Sequence, residues 1–346
     1  MSKKKKWNED VVYINEIIRI NYKCNWKCKF CNVLKTNNYW EHDVSDKEVV
    51  YKILALTKKY NKDELNNLIL SFSWWEPTLN KKICSFIELA KKIWVWMVQI
   101  QTNWTLLFKD KNFINDLKKS WLDEIFLAQH WFDDKINKKL GTFYNIDDFK
   151  DWVTYVKENN IHKDIWIAFN IVINKININW IYDYILFLKE VWFLDLLPNE
   201  NNNWFKDTKR ISFGLVQPNG YAEINKEEVL LEFNDNELKK LHSIIALCKD
   251  NNIYSDFHFT APPLCILDYK EYNLEYQRMV KIEEDKKNWE LIEWNLDSYK
   301  YLWKEKQKFS ECSKCKNNDY CLWFYKNWIE FVWENYVKDK ILSYIK

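Results

Sequence analysis

The chain has 346 residues, of which 47% are hydrophobic and 29% are charged, and its formal net charge at pH 7 is +2. This composition is typical of an ordinary globular protein with an ample core, as one large domain plus a small one or as two domains. The small net charge argues against a strong electrostatic commitment to nucleic acid. A membrane span is not predicted, because the sequence has no run of eighteen apolar residues.

Residues 1–10 are predicted to be a basic tail. The lysines at positions 3–6 are not followed by an apolar segment, so a secretory signal is not expected. A solvated tail is favoured over a phosphate-binding arm. The chain has nine cysteines in clustered spacings. Without a signal, this pattern predicts a reducing compartment, the cytoplasm, and metal ligation rather than disulfides.

Residues 11–21 have an extended, apolar-rich pattern and are predicted to be the first strand. Directly afterwards come Cys24, Cys28 and Cys31, all within eight residues. Thiolates hold iron–sulfur clusters or zinc, but a closed four-thiolate site would need a further cysteine nearby, and none follows before Cys84. A four-iron cluster held by three thiolates leaves one iron open to bind a substrate or cofactor.

The same spacing, i, i+4 and i+7, would also put the three cysteines on one helical face as buried thiols. Lys27 and Lys29 surround them with charge, which argues against this alternative.

The rest of the chain alternates between strand and helix patterns. The further predicted strands are residues 68–72, 95–101, 125–128, 165–173 and 211–216. The predicted helices are residues 46–60 behind a capping box of Ser45 and Glu48, then 83–90, 113–117, 147–159, 180–191 and 238–251. This alternation predicts an α/β fold with a parallel sheet, namely a partial (β/α)6 TIM-like barrel over residues 11–261. The pair Pro262-Pro263 marks the expected boundary to a small cysteine-rich module, residues 262–346.

The sequence has three glycines and twenty-one tryptophans. Average usage would give about 24 glycines in a chain of this length, which is the number that the two residue types reach together. Several tryptophans also stand at turns, as in the stretch Trp74-Trp75-Glu76-Pro77. We hypothesise that the gene comes from an organism that reads UGA as glycine and that UGA is written here as tryptophan. The alternative is a truly tryptophan-rich protein.

The cysteine spacing, with the aromatic Phe30 before the last cysteine, resembles the signature of the radical S-adenosylmethionine (radical SAM) superfamily. The resemblance implies that Cys24, Cys28 and Cys31 bind a catalytic 4Fe-4S cluster whose open iron chelates S-adenosylmethionine (SAM). It further implies that an electron donor such as flavodoxin or ferredoxin reduces the cluster, and that SAM is cleaved to a 5'-deoxyadenosyl radical.

Residues 73–77 follow the second predicted strand. If Trp74 and Trp75 are glycines, the stretch after Ser73 reads Gly-Gly-Glu-Pro and resembles the second motif of that family. The resemblance implies that this backbone and Glu76 hold the amino group of SAM. The alternative for Glu76 is a solvated carboxylate at a helix start.

Further polar residues end the next predicted strands, and in a parallel barrel such positions build the site. By resemblance, Asn103, Gln129 and Asn170 contact the ribose and carboxylate of SAM, although single amides on strands are common. His130 is a candidate proton donor or an ordinary polar residue. Gln217, after the sixth strand, is a candidate for contact with adenine.

Near its end the chain carries Cys312, Cys315 and Cys321 in a segment rich in Lys and Asn, and Cys265 follows the proline pair. Four thiolates suit either a closed zinc site or a second iron–sulfur cluster, and a segment with so little core needs a metal to fold. The spacing resembles the SPASM or the shorter Twitch extension of radical SAM enzymes. The longer form expects a cysteine where this chain has Tyr325, so one auxiliary 4Fe-4S cluster is expected.

Together these features predict a radical SAM enzyme that abstracts hydrogen from a substrate. A peptide or protein is the first expectation, because enzymes with this layout often mature peptides. A small-molecule substrate, as in molybdopterin-precursor synthases, is the second, although the glycine-arginine-rich end typical of those enzymes is absent here. The alternative from another class is a non-catalytic zinc-binding scaffold.

Overall fold

A computed structural model describes residues 14–33, 44–73, 75–130, 133–142, 145–193, 210–257, 262–270, 306–321, 324–332 and 334–345. The basic tail, Trp74 and residues 194–209, a polar stretch that the sequence predicts to be a loop, lie outside these residues. The strands are β1 Ile14–Ile18, β2 Leu68–Phe72, β3 Met97–Thr102, β4 Glu124–Ala128, β5 Trp166–Ile173, β6 Ile211–Leu215, β7 Ser255–Phe257, β8 Lys306–Gln307 and β9 Phe324–Tyr325.

The helices follow the strands along the chain. They are α1 Asp46–Lys59, α2 Lys62–Leu65, α3 Ile83–Lys92, α4 Thr105–Lys109, α5 Lys111–Lys119, α6 Asp134–Leu140, α7 Ile146–Glu158, α8 Ile181–Leu188, α9 Tyr221–Ile224, α10 Lys226–Val229, α11 Asp235–Asp250, α12 Lys326–Val332 and α13 Glu334–Ile345. The predicted capping box opens α1: the Glu48 backbone N–H donates to the Ser45 side chain, and the Ser45 N–H donates to the Glu48 carboxylate. Among the described residues, no helix has the length and apolar character needed to cross a membrane.

Strands β1 to β7 form one sheet in sequence order. The described pairings β1–β2, β2–β3, β3–β4, β4–β5 and β6–β7 are all parallel. A parallel sheet wound in sequence order with helices between its strands is the architecture of a partial TIM-like barrel, so the predicted fold class is confirmed. The prediction of six strands missed β7, which has only three residues, one of them the polar Asp256.

The two faces of β2, β3 and β4 differ in polarity. Residues on one face are fully buried and apolar: Leu68, Leu70, Phe72, Val98, Ile100, Ile125 and Leu127. On the other face Ser71, Gln99 and Glu124 stand side by side in register, and all three are buried. The Ser71 hydroxyl donates to Gln99 Oε1 at 2.6 Å, and Gln99 Nε2 donates to the Glu124 carboxylate. Period-two alternation thus produces an apolar face and a polar face on the same sheet.

The chain divides into two compact units. Unit 1 is Met1–Lys27, Lys35–Asn170 and Asp183–Arg210, and unit 2 is Cys28–Leu34, Ile171–Tyr182 and Ile211–Lys346. The expected boundary between a barrel at 11–261 and a module at 262–346 stays a prediction.

The carboxyl-terminal part of unit 2 has more structure than the sequence suggested. β8 and β9 pair as an antiparallel hairpin, and α12 and α13 follow. Phe309 and Phe324 pack edge to face with ring centroids 5.9 Å apart, and Val337 and Ile341 of α13 are buried. The expectation of little core was therefore wrong: Trp328, Ile329 and Val332 of α12 are buried as well, at a helical spacing that the sequence interpretation missed.

Candidate functional site

The cysteine loop begins where β1 ends. Cys24 is half-buried, and its sulfur accepts hydrogen bonds from the Trp26 backbone N–H at 3.4 Å and from Asn103 Nδ2 at 3.7 Å. The Lys27 backbone N–H donates to the Gly141 carbonyl at 3.0 Å, which fixes the loop at this point. Asn103, predicted from its place after β3, therefore lies beside the first cysteine.

Cys28 and Cys31 belong to unit 2 and are also half-buried. The Cys31 N–H donates to the Cys28 carbonyl at 3.2 Å, which closes a turn, and the Cys31 carbonyl accepts from the Ala222 N–H at 3.1 Å. Residues 24–31 form no helix. The alternative of three buried thiols on one helical face is therefore wrong, and all three cysteines lie in an irregular loop.

Glu76 lies after β2 and is fully buried. Its Oε1 accepts hydrogen bonds from the Thr78 N–H at 3.0 Å, the Thr78 hydroxyl at 2.5 Å and the Thr102 hydroxyl at 2.6 Å. Its Oε2 accepts from the Asn103 N–H at 2.6 Å. Burial raises the pKa of Glu76, and these hydrogen bonds act in the opposite direction. A solvated carboxylate is thus excluded, and Glu76 joins the ends of β2 and β3.

The backbone of Glu76 joins a further strand end. Its N–H donates to the Lys23 carbonyl at 2.9 Å, and its carbonyl accepts from Asn21 Nδ2 at 2.9 Å. The sequence reading missed Asn21, whose side chain also accepts from the Lys23 N–H. The sequence did offer a signal for this role, namely an Asn three residues before Cys24. Asn side chains often form hydrogen bonds with the backbone two residues further along the chain. Whether Glu76 holds the amino group of SAM stays a prediction.

Gln129 and Asn170 stand together at the ends of β4 and β5, where the Gln129 N–H donates to the Asn170 carbonyl at 3.2 Å. The Gln129 side chain is 0% exposed, and neither its Nε2 nor its Oε1 has a hydrogen-bond partner among the described residues. The same holds for Asn170 Oδ1. Buried amide groups that lack partners are costly, so these atoms suit a polar ligand such as the SAM that the sequence predicts.

Ser73 and Trp75 flank the predicted second motif, whose Trp74 lies outside the described residues. The Ser73 hydroxyl donates to Gln101 Oε1 at 2.6 Å, and its backbone N–H donates to the Ile18 carbonyl at 3.4 Å. Trp75 has a φ of 60°, which is the left-handed region. The contacts of Ser73 and Trp75 with a cofactor stay predictions.

The two other polar candidates have defined surroundings. His130 is 3% exposed, and burial lowers its pKa to about 3, so the imidazole is neutral at physiological pH. Gln217 uses both ends of its amide: Oε1 accepts from Asn32 Nδ2 at 2.8 Å, and Nε2 donates to the Tyr325 hydroxyl at 2.9 Å. Within unit 2, both ends of the Gln217 amide thus form hydrogen bonds with side chains of the protein. This leaves Gln217 fewer hydrogen-bonding positions for adenine than the sequence suggested.

The four cysteines of the predicted auxiliary site all belong to unit 2 and are half-buried. Burial raises the pKa of Cys265, and the thiols of Cys321, Cys312 and Cys315 raise it further. The Cys315 N–H donates to the Cys312 carbonyl at 3.0 Å. Thiols are the donors that a soft metal centre takes.

Neither cysteine set has the compact geometry of a single-ion site. Within the part of the chain that the structure describes, no group of three or more His, Cys, Asp or Glu side chains could hold one metal ion. What fits an iron–sulfur centre is the chemistry of the donors, which are three thiols in one loop and four in the carboxyl-terminal region.

The fold and the three cysteines after its first strand fit the class of cluster-binding protein that the sequence predicts. Residues 18–188 match the family model of the Radical SAM superfamily, and this part of the chain is a domain of that superfamily. The predicted family is thereby confirmed. None of the curated protein sequences matches this chain.

Two solved structures share the fold. SuiB from Streptococcus suis, bound to S-adenosylmethionine, has 18% sequence identity and a TM-score of 0.51, and the match covers 74% of this chain and 52% of that chain. A histidine-tagged form of anSMEcpe with bound AdoMet has 14% identity and a TM-score of 0.55, with coverage of 96% and 98%. This chain therefore spans about half the length of SuiB.

Proposed function

We propose that the protein reductively cleaves SAM and uses the resulting radical to abstract hydrogen from a peptide or protein substrate. The observation that carries the proposal is the loop of three half-buried cysteines directly after the first strand of a parallel sheet. When bound, a 4Fe-4S cluster would supply the electron that splits SAM into methionine and a 5'-deoxyadenosyl radical, which takes a hydrogen atom from the substrate and becomes 5'-deoxyadenosine.

In this proposal Cys24, Cys28 and Cys31 are the thiolate ligands of the catalytic cluster. Asn103 Nδ2 and the Trp26 backbone N–H both donate to the Cys24 sulfur. Such donors stabilise a thiolate and tune the potential of a cluster. Glu76 holds the Asn103 backbone in place through its own carboxylate.

The polar end of SAM would be held by the strand-end residues of unit 1. Gln129 and Asn170 provide buried amide atoms without partners among the described residues, and a carboxylate or ribose hydroxyl would satisfy them. The resemblance to the family's second motif implies that the amino group of SAM is held by Ser73, Trp75 and Glu76. Among the described residues, Glu76 Oε2 accepts one hydrogen bond, from the Asn103 N–H. An acceptor of this kind suits an ammonium group.

The four carboxyl-terminal cysteines, Cys265, Cys312, Cys315 and Cys321, would hold one auxiliary 4Fe-4S cluster. The donor set, four thiols within residues 262–346, supports this assignment. A closed zinc site is the competing possibility, but these four side chains lack the geometry of a single-ion site. The separation of residues 262–346 as a SPASM/Twitch-like module is part of the same proposal.

The peptide substrate rests on the combination of a radical SAM domain with such a cysteine-rich module. A small-molecule substrate is the competing assignment. We place the protein in the cytoplasm, because thiol-ligated clusters need a reducing compartment, and we expect flavodoxin or ferredoxin as electron donor. A short precursor peptide encoded beside the gene would support the peptide, whereas cofactor-biosynthesis genes would support the small molecule.

The test is anaerobic reconstitution with iron and sulfide, followed by dithionite and SAM. We expect iron and sulfide for two clusters and the release of 5'-deoxyadenosine. Cys28→Ala should abolish that release, whereas Cys84→Ala, the matched control at a half-buried thiol outside both sets, should not. A colourless protein that retains only zinc would establish the scaffold instead. An assembled cluster that releases no deoxyadenosine would refute the enzymatic function.

We also propose that several residues written as tryptophan are glycine in the native protein. Four of the seven non-glycine residues with positive φ among the described residues are tryptophans, namely Trp75, Trp94, Trp104 and Trp121, with φ between 55° and 74°. Bulky residues are genuine outliers in this region, whereas glycine enters it freely.

Two of these tryptophans occupy the position after a helix where glycine is most common. After α5, the Leu122 N–H donates to the Leu117 carbonyl and the Trp121 N–H to the Lys118 carbonyl. This pair of hydrogen bonds is the Schellman motif, whose left-handed residue is usually glycine. After α3, Trp94 occupies the equivalent position with the same pair of bonds.

Trp104 supports the proposal through packing. It begins α4 in the left-handed conformation and is fully buried. Its ring centroid lies 3.3 Å from that of Phe108, whereas aromatic pairs pack at about 4.5–7 Å. Peptide mass spectrometry of the protein from its native cells should find glycine at these positions. Tryptophan there, or UGG codons in the gene, would refute the proposal.

A further inference from the structure

The segment that follows β6 holds one half of the cysteine loop. Within unit 2, the Ala222 N–H donates to the Cys31 carbonyl at 3.1 Å, and Asn225 Nδ2 donates to the Lys29 carbonyl at 3.4 Å. Lys29 also forms an ion pair with Glu228. We call residues 217–228 the clamp segment. Its contacts hold the loop backbone between Cys28 and Cys31 and at Cys31 itself.

Gly220 lies where the clamp segment approaches the loop most closely. Its φ is +65°, and a Cβ at this position would lie 2.5 Å from the Asn32 carbonyl carbon and 2.7 Å from the Val33 nitrogen. Both neighbours are backbone atoms, which cannot move aside as a flexible side chain can. The close packing requires glycine here, and it holds the backbone of residues 32–33 directly against the clamp segment.

The first residues of the clamp segment also contact the carboxyl-terminal hairpin and the start of α12. Gln217 Nε2 donates to the Tyr325 hydroxyl at 2.9 Å, and Asn327 Nδ2 donates to the Pro218 carbonyl at 3.1 Å. Tyr325 lies in β9, four residues after Cys321. The Gln217 amide therefore connects the hairpin to the cysteine loop, because its Oε1 accepts from Asn32, the residue directly after Cys31.

We propose that Gln217 is a positioning residue that couples the carboxyl-terminal cysteine module to the Cys28–Cys31 half of the catalytic loop. The bridge Asn32–Gln217–Tyr325 lets a structural change at one thiol set alter the position of the other. It supplies a physical route by which metal loading of the module adjusts the catalytic loop, since groups around the ligands tune a metal centre.

The coupling rests on the proposed function only for the identity of the group that the thiols bind. It is therefore tested first on the intact chain without iron. Iodoacetamide alkylation is followed at each cysteine by peptide mass spectrometry. In Gln217→Ala both bridging hydrogen bonds are lost, and alkylation of Cys28 and Cys31 should accelerate about tenfold. Cys84 and Cys24 should stay within about twofold of the parent chain.

Tyr325→Phe removes only the hydroxyl and should accelerate the same two cysteines about threefold. The matched control is Tyr336→Phe, which removes a hydroxyl of unit 2 that donates to the Phe233 carbonyl and not to the clamp segment. Equal effects of the two tyrosine variants, or acceleration at all cysteines alike, would reduce Gln217 to a general stability role and overturn the proposal.

A second readout uses the reconstituted protein. The midpoint potential of the catalytic cluster, followed by electron paramagnetic resonance, should shift in Tyr325→Phe and stay at the parent value in Tyr336→Phe. An unshifted potential in both variants would contradict the coupling even if alkylation changed. Because neither readout requires cleavage of SAM, the coupling and the proposed enzymatic function can fail independently.

Discussion

Trp121 offers a direct test of the inference that glycine belongs at the left-handed positions. It stands immediately after α5, has a φ of 64° and is 57% exposed. Replacing it by glycine alone would mix two effects, because the indole is partly buried. We therefore compare Trp121→Gly with Trp121→Ala, since both variants lose the indole and differ only in backbone preference.

The expected difference follows from the backbone. The left-handed conformation costs an L-residue about 1–2 kcal/mol, and glycine avoids that cost. Glycine also lowers the free energy of unfolding by about 0.5–1 kcal/mol relative to alanine, because its unfolded chain is more flexible. The glycine variant should thus have a free energy of unfolding about 0.5–1 kcal/mol above that of the alanine variant.

The matched control is Asp116, an exposed position within α5 itself. In the helix interior the preference reverses, so Asp116→Gly should be about 1 kcal/mol less stable than Asp116→Ala. Urea unfolding of the four variants, followed by circular dichroism, measures both differences. If alanine is at least as stabilising as glycine at position 121, the conformational basis of the recoding proposal is wrong.

Three further predictions follow from other contacts. Glu76→Gln replaces one acceptor oxygen by a donor and leaves a buried donor without an acceptor, so urea unfolding should show a loss of about 1–3 kcal/mol; an unchanged midpoint would contradict the joining role of Glu76. His130 has a folded pKa of about 3, below the unfolded value, so its contribution to stability is present above about pH 6.5 and is lost as the pH falls. The free energy of unfolding should drop by about 2 kcal/mol between pH 6.5 and 5. His130→Gln should remove that part of the pH dependence. Identical pH profiles of the parent protein and the variant would refute the role of His130. Gly220→Ala forces a Cβ against the Asn32 backbone and should lower the urea midpoint, whereas the nearby exposed Glu223→Ala should leave it nearly unchanged.

The sequence predicted the parts of the fold that rest on long patterns. The capping box of Ser45 and Glu48 opens α1 where it was expected, and β2 coincides with the predicted residues 68–72. Short elements such as β7 and α9 have too few residues to show a period. The sequence also indicated Gln129 and Asn170 as strand-end polar residues, but it could not show that they are buried without partners among the described residues.

The surroundings of Glu76 and Gln217 could not be predicted for a different reason. The four hydrogen bonds of the Glu76 carboxylate come from Thr78, Thr102 and Asn103, which are up to 27 positions away. The partners of Gln217, Asn32 and Tyr325, are 185 and 108 positions away. Such contacts depend on how strands and hairpins come together in space, and no local spacing in the chain encodes them.

The two-sided character of β2, β3 and β4 has an evolutionary consequence. Leu70 and Ile100 pack on one face while Ser71 and Gln99 stand on the other, and neighbouring positions along a strand belong to opposite faces. Mutations can therefore change the side chains of the polar face one at a time while the apolar face keeps the sheet packed. A sheet of this kind can acquire new chemistry through substitutions that are confined to its polar face.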